Sequence, residues 1–157
     1  MSIVLYRIDD RLVHGQVMTA WSKVFDTTRI LIIDDATANN PFLVQVMKMA
    51  VPGDYHVDIV GMADAAAKIA GDPADKRTMV LVKEPKTILE LQKQGVEIKE
   101  LNVGNMGAAP GRRVVNRSLQ LTGDEYQTLI DIQSNGTRVY AQIYPDGKTL
   151  ELNKLKF

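Results

Sequence analysis

Within eight residues the chain carries two arginines, two aspartates and a histidine: Arg7-Ile8-Asp9-Asp10-Arg11-Leu12-Val13-His14, followed by Gly15-Gln16-Val17. An imidazole can take up and release a proton or a phosphoryl group near neutral pH. Guanidinium groups hold phosphoryl oxygens through paired hydrogen bonds. The segment therefore contains the parts of a phosphoryl-transfer site. His14 is the candidate nucleophile, Arg7 and Arg11 are candidate oxygen holders, and Asp9 and Asp10 are acceptors that could orient them. Backbone amides at Gly15 and Gln16, where a helical pattern begins, add anion-binding capacity. A plainer reading stands beside this one: His14 is a loop histidine with a structural hydrogen bond, and the arginines simply pair with the aspartates. Such pairing is compatible with orienting the arginines for chemistry.

Two further clusters hold candidate groups. Gly104-Asn105-Met106-Gly107, followed by Gly111-Arg112-Arg113, is a glycine-rich stretch. Its amides, with Asn105 and Arg112, could bind phosphate, or it is an ordinary turn with solvated arginines. Asp34-Asp35 either caps the next helix or joins Asp9, Asp10 and Lys83 in a Mg²⁺ site, as in a phosphohydrolase or a receiver-like domain. That second assignment leaves His14 and both arginines without a role. His56 reads as structural, and Trp21 and the methionines read as core.

What must position these groups is an alternation of short apolar runs and helical patterns. Strands are expected at residues 3–8, 29–33, 57–60, 79–82, 98–103 and 139–144, with a short one at 113–115. Val17, Ala20, Trp21 and Val24 mark one helix face; Leu43, Val46, Met47 and Ala50 mark the buried stripe of a helix opened by Asn40-Pro41. Residues 63–70 and 85–94 form helices closed by Gly71 and Gly95. Thr122-Gly-Asp-Glu125 is a capping box, with Leu121 and Tyr126 as its hydrophobic staple, and its helix stops at Asn135-Gly136. Strands alternating with helices of this length give an α/β fold. The expectation is one doubly wound domain over residues 1–157, with a mostly parallel sheet of six or seven strands and helices on both faces. Right-handed crossovers then gather the βα loops, and every candidate above, on one sheet edge.

Composition narrows the functions. Lys+Arg and Asp+Glu are 19 each, so the formal charge is zero. That argues against nucleic acid as the main partner, which demands basic excess. With no Cys, and two histidines 42 positions apart, disulfides and a zinc site are not expected. Neither GxGxxG nor GxxxxGK[ST] occurs. The N-terminal stretch lacks a signal-peptide layout, and no apolar run approaches the roughly 20 residues of a membrane span. A cytoplasmic protein without direct membrane insertion is expected.

The segment Arg7 to Val17 resembles the hallmark of IIB components of the mannose/fructose/sorbose family of the bacterial sugar phosphotransferase system. Trp21 falls where that family has a tryptophan. Ile30 to Asp35 is similar to its "IIVDD" element, Ala50-Val51-Pro52 has a counterpart, and Leu101-Asn-Val-Gly-Asn-Met106 is similar to its second hallmark. The resemblance covers nearly the whole chain. It implies a phosphotransferase without metal or organic cofactor. A phosphohistidine on a cytoplasmic IIA partner would donate to His14, which would pass the group to a sugar held by the membrane components IIC and IID. The protein would sit at the inner face of the membrane through those partners. Arg11 would hold phosphoryl oxygens, and Asp9 or Asp10 would orient His14 or Arg11. Two stretches depart from the family pattern. Gly107-Ala108-Ala109-Pro110 lacks the usual bulky pair, although Gly111-Arg112-Arg113 keeps the basic turn. Pro145-Asp146-Gly147-Lys148 also differs.

Overall fold

The computed structural model describes residues 2–15 and 17–157. Gln16, expected among the phosphate-binding residues, lies outside them. Among the described residues nine strands form: β1 (Ile3–Asp9), β2 (Arg29–Ile33), β3 (His56–Val60), β4 (Thr78–Val82), β5 (Glu100–Asn105), β6 (Arg113–Asn116), β7 (Leu119–Leu121), β8 (Arg138–Ala141) and β9 (Leu150–Glu151). Seven make one sheet in the order β3-β2-β4-β1-β5-β8-β9, parallel throughout except that β9 runs antiparallel to β8. β6 and β7 form a separate antiparallel hairpin.

The inner strands are short β-branched and Leu runs because both faces of the sheet are covered. One core holds Ile8, Leu31, Val80, Leu101 and Val139 under α4 (Met62–Ala70), α5 (Pro85–Lys93) and α6 (Gly123–Ser134). The other holds Leu5, Ile30, Ile32, Met79 and Leu81 beneath the π-helical turn Val17–Trp21 and α1 (Ser22–Val24). The loop leaving β1 thus crosses one face, while those leaving its neighbours β4 and β5 cross the other. Such divergence opens a crevice at the carboxyl ends of adjacent strands, here β1 and β5.

Local signals explain most element ends. The Thr122 hydroxyl accepts from the Glu125 amide at 3.0 Å, and Glu125 Oε1 accepts from the Thr122 amide at 2.9 Å, which completes the capping box of α6. Asn40 caps α3 (Pro41–Met49) through the amides of Phe42 and Leu43.

Several expectations are corrected. Val24 is 63% exposed, while Met18 is buried beside Val17 and Trp21. The π turn widens the residue spacing along this segment, so the inward face drifts off the i, i+3, i+4, i+7 line. The stripe assigned to α3 is not buried either. Only its Met47 joins the core, because α3 lies at the edge of the sheet, and Phe42, Val46 and Met49 face solvent. β8 stops at Ala141 rather than Tyr144: Gln142 turns back, donating to the carbonyls of Pro145 and Gly147. The β7 and β9 strands and the short helix α2 (Asp35–Ala38) were not foreseen.

Candidate functional site

β1 delivers alternate residues to each face of the sheet. Ile8 enters the core under α4 and α5. Arg7 and Asp9 point to the opposite face, toward the π turn. Register pairs Arg7 with Asn102 on β5, so Asn102 and Gly104 share that face. The chain then breaks sharply: the Leu12 amide donates to the Asp9 carbonyl at 2.9 Å, and Leu12 takes φ 57°. A buried leucine in the left-handed region is strained, and such strain concentrates at functional loops. The turn folds Arg11 and His14 back over the end of the strand.

Asp9 is the hub. Its fully buried carboxylate accepts from the Arg11 amide at 3.1 Å and from Arg11 Nε and Nη2, each at 3.0 Å. It also accepts from Arg7 Nη2 at 3.3 Å and meets His14 Nε2 at 3.0 Å. Burial pushes this carboxyl up, but the hydrogen bonds from His14 and Arg11 and the charge of Arg7 outweigh it and hold the group down at about 2. Asp9 is therefore an anion near neutral pH. An ionised carboxylate only accepts, so His14 carries a hydrogen on Nε2, and in the neutral ring the lone pair is then at Nδ1. The ring is 17% exposed and Arg11 is 42% exposed. Five donors compete for the roughly four acceptor positions of one carboxylate.

Asp10 does different work. It accepts from Asn105 Nδ2 at 2.7 Å and from the Gly107 amide at 2.8 Å, tying the glycine-rich loop to β1. Among the described residues it hydrogen-bonds to neither His14 nor Arg11, both of which bond to Asp9. Arg7, expected among the phosphate-binding residues, is 1% exposed and lies beneath Asp9. Arg112 grips Glu125 with Nε and Nη2 at 2.9 and 2.8 Å, donates to the Gly107 carbonyl and lies 3.8 Å from the Asp10 carboxylate. Asn105 supports Asp10, Gly104 is buried within β5, and Gly15 is exposed at the start of the helical segment.

The four aspartates do not form one cation site. Asp34 caps α2 through the Thr37 amide and hydroxyl and pairs with Lys83 at 3.5 Å; Asp35 accepts from the Met62 amide. Among the described residues no three His, Asp or Glu side chains converge on a common point. No helix among them is long and apolar enough to cross a membrane.

The family model described as the PTS system sorbose subfamily IIB component matches residues 3–156. The chain belongs to that family. The sorbose-specific EIIB component of Klebsiella pneumoniae is 33% identical to this IIB chain over 141 residues, covering 88% of the chain and 85% of the relative. The crystal structure of the IIB domain of the Klebsiella pneumoniae sorbose permease superposes with a TM-score of 0.90 at 31% identity, covering 98% of this chain and 96% of that one. The mannose-specific EIIAB component of Escherichia coli is 30% identical over 138 residues, which are 87% of this chain but 42% of that longer protein. The IIB fold is thus the doubly wound, mostly parallel sheet expected from the sequence.

Sequence reasoning missed three participants in the site: Asn102, the carbonyl of Gln142, and the stacking of Trp21 on Arg7. Asn102 left a signal, a polar residue inside a strand otherwise buried on both faces. The other two left none, because they meet Arg7 only through the sheet order and the π turn.

Proposed function

We propose that this chain is a single IIB unit of a sugar phosphotransferase system, with His14 Nδ1 as the phosphoryl acceptor. The observation that carries this reading is the contact of His14 Nε2 with an ionised Asp9, because it leaves the nucleophilic lone pair on the other nitrogen. Nδ1 attacks the phosphorus of a phosphohistidine on a IIA donor. An N–P bond forms here as the donor's N–P bond breaks. The ring gains positive charge, and Asp9 stabilises it from the far side. In the second transfer a sugar hydroxyl oxygen takes the phosphoryl group, its proton passes to water, and the electron pair of the broken N–P bond returns to Nδ1.

Arg11 is the mobile partner in this scheme. It is the most exposed of the three side chains that donate to Asp9, and Asp9 has more donors than it can satisfy. Arg11 can therefore turn one edge of its fork to the incoming phosphoryl oxygens while Arg7 and His14 keep the carboxylate occupied. Gly15, exposed at the start of the helical segment, adds a backbone donor. A donor of the IIA class fits the mannose-specific relative, an EIIAB component of which this chain matches only part. Delivery to a sugar bound by membrane IIC and IID components follows from the same reading, as does a place at the inner face of the cell membrane held by those partners.

Phosphorylation by a phosphorylated IIA protein tests the assignment. Wild type should acquire a label lost in acid and stable in alkali, and His14→Ala should acquire none while keeping its circular dichroism spectrum. Label persisting in His14→Ala, or label stable to acid, overturns it.

A further inference from the structure

Gly104 lies in β5 where its missing side chain is filled by another residue: a Cβ built there would overlap the guanidinium carbon and both terminal nitrogens of Arg7. A glycine inside a strand weakens it unless something must approach closely. Here that something is a buried cation. Arg7 donates to Asn102 Oδ1 on β5 and, at 3.1 Å, to the Gln142 carbonyl just beyond β8. Its guanidinium stacks 4.4 Å over the Trp21 ring. Burial lowers this group to about 10, against the pull of Asp9, so it still carries its charge at neutral pH. One flat cation therefore links the ends of β1, β5 and β8 and the π turn, and it supports Asp9 from below.

We propose that Arg7 and Gly104 act as one positioning unit: the empty Cβ position of Gly104 seats the Arg7 guanidinium, which fixes the Asp9 carboxylate and through it the Nε2–H tautomer of His14. This rests on the reading of His14 as acceptor, and it assigns a task to two residues that do not touch the phosphoryl group. Any side chain at 104 lifts the guanidinium, lets Asp9 rotate and frees the imidazole to protonate at either nitrogen.

The test is made on the unphosphorylated chain, so it does not depend on phosphoryl transfer. Long-range ¹H–¹⁵N spectra of the imidazoles, recorded where both rings are neutral, read the tautomer directly. His56, whose Nε2 meets Asp58 at 3.0 Å far along the sheet on β3, serves as the internal control. Wild type should show His14 as the Nε2–H tautomer alone. Gly104→Ala should give a mixture at His14 with His56 unchanged, and phosphoryl acceptance should slow about 10–100-fold, as when the support of a reacting histidine is lost. Arg7→Lys should act in the same direction. In the Arg7→Lys background, Gly104→Ala should cost little more, because the slimmer lysine no longer fills the socket. A pure Nε2–H tautomer in Gly104→Ala, or a full additional loss in the double variant, overturns the proposal. If Gly104→Ala does not fold, Arg7→Lys decides alone, and retention of the wild-type tautomer overturns it.

Discussion

Asp9-Asp10 and Asp34-Asp35 are the same dipeptide at the carboxyl ends of two strands of one sheet, β1 and β2. In each pair the second residue reaches a neighbouring loop: Asp10 holds Asn105 and Gly107, and Asp35 holds the Met62 amide. The first residues differ. Asp34 accepts from the neutral amide and hydroxyl of Thr37, with Lys83 3.5 Å away. Asp9 is fully buried among two guanidinium groups and an imidazole. A carboxylate held by an amide closes a helix. A carboxylate held by cations fixes where those cations point. The surroundings, not the carboxylate, divide the two tasks.

Removing the Asp9 charge should have the largest effect. Asp9→Asn keeps the shape but leaves Arg7 buried without its counterion, a loss of about 3–5 kcal/mol in denaturant unfolding. It also frees the His14 tautomer, so phosphoryl acceptance by the folded variant should fall on the order of 100-fold or more. A variant as fast as wild type would show that Asp9, like Asp34, is only structural.

Acid should sharpen the same contrast. The Asp9 carboxyl is lowered from 3.8 to about 2 in the folded protein. A group lowered by folding stabilises above its unfolded value, and that stabilisation fades as pH falls toward the folded value. Asp9 thus contributes on the order of 2 kcal/mol above pH ~4, lost progressively between pH ~4 and pH ~2. The stability gap between wild type and Asp9→Asn, taken from paired denaturation curves, should therefore narrow through that window. Other carboxylates titrate equally in both proteins and cancel. A gap constant down to pH ~2 would mean the carboxyl is not held ionised.

Most of the frame was legible in the chain. The β-branched runs marked the parallel strands, and Thr122 to Glu125 marked the start of α6, because these signals are local. The cluster around His14 was legible for the same reason: Asp9, Arg11 and His14 meet across one turn. What escaped depends on contacts between distant parts. The depth of Arg7 is one case: strand parity alone does not say how deeply the π turn and Trp21 cover its face. The pairing of Arg112 with Glu125 is another, because it needs the β6–β7 hairpin to fold against α6. The stripe of α3 misled because periodicity identifies an apolar face but not whether a sheet is wide enough to cover it.

The smallest effect is expected at the other dipeptide. Asp34→Ala deletes a helix cap, worth about 1 kcal/mol, and releases Lys83, whose exposed ammonium contributes little through an ion pair of this kind. Stability should fall by that amount in urea unfolding. The rate of phosphoryl acceptance from a IIA donor should stay at the wild-type value, with or without EDTA, because no group on β2 enters the His14 cluster. The contrast with Asp9→Asn makes this near-null result informative. Both variants remove one carboxylate from the same rim, so a general electrostatic effect of lost negative charge would move both rates together. If Asp34→Ala slows transfer as Asp9→Asn does, or if EDTA slows the wild type, the β2 loop belongs to the reacting centre and the division between the two aspartate pairs fails.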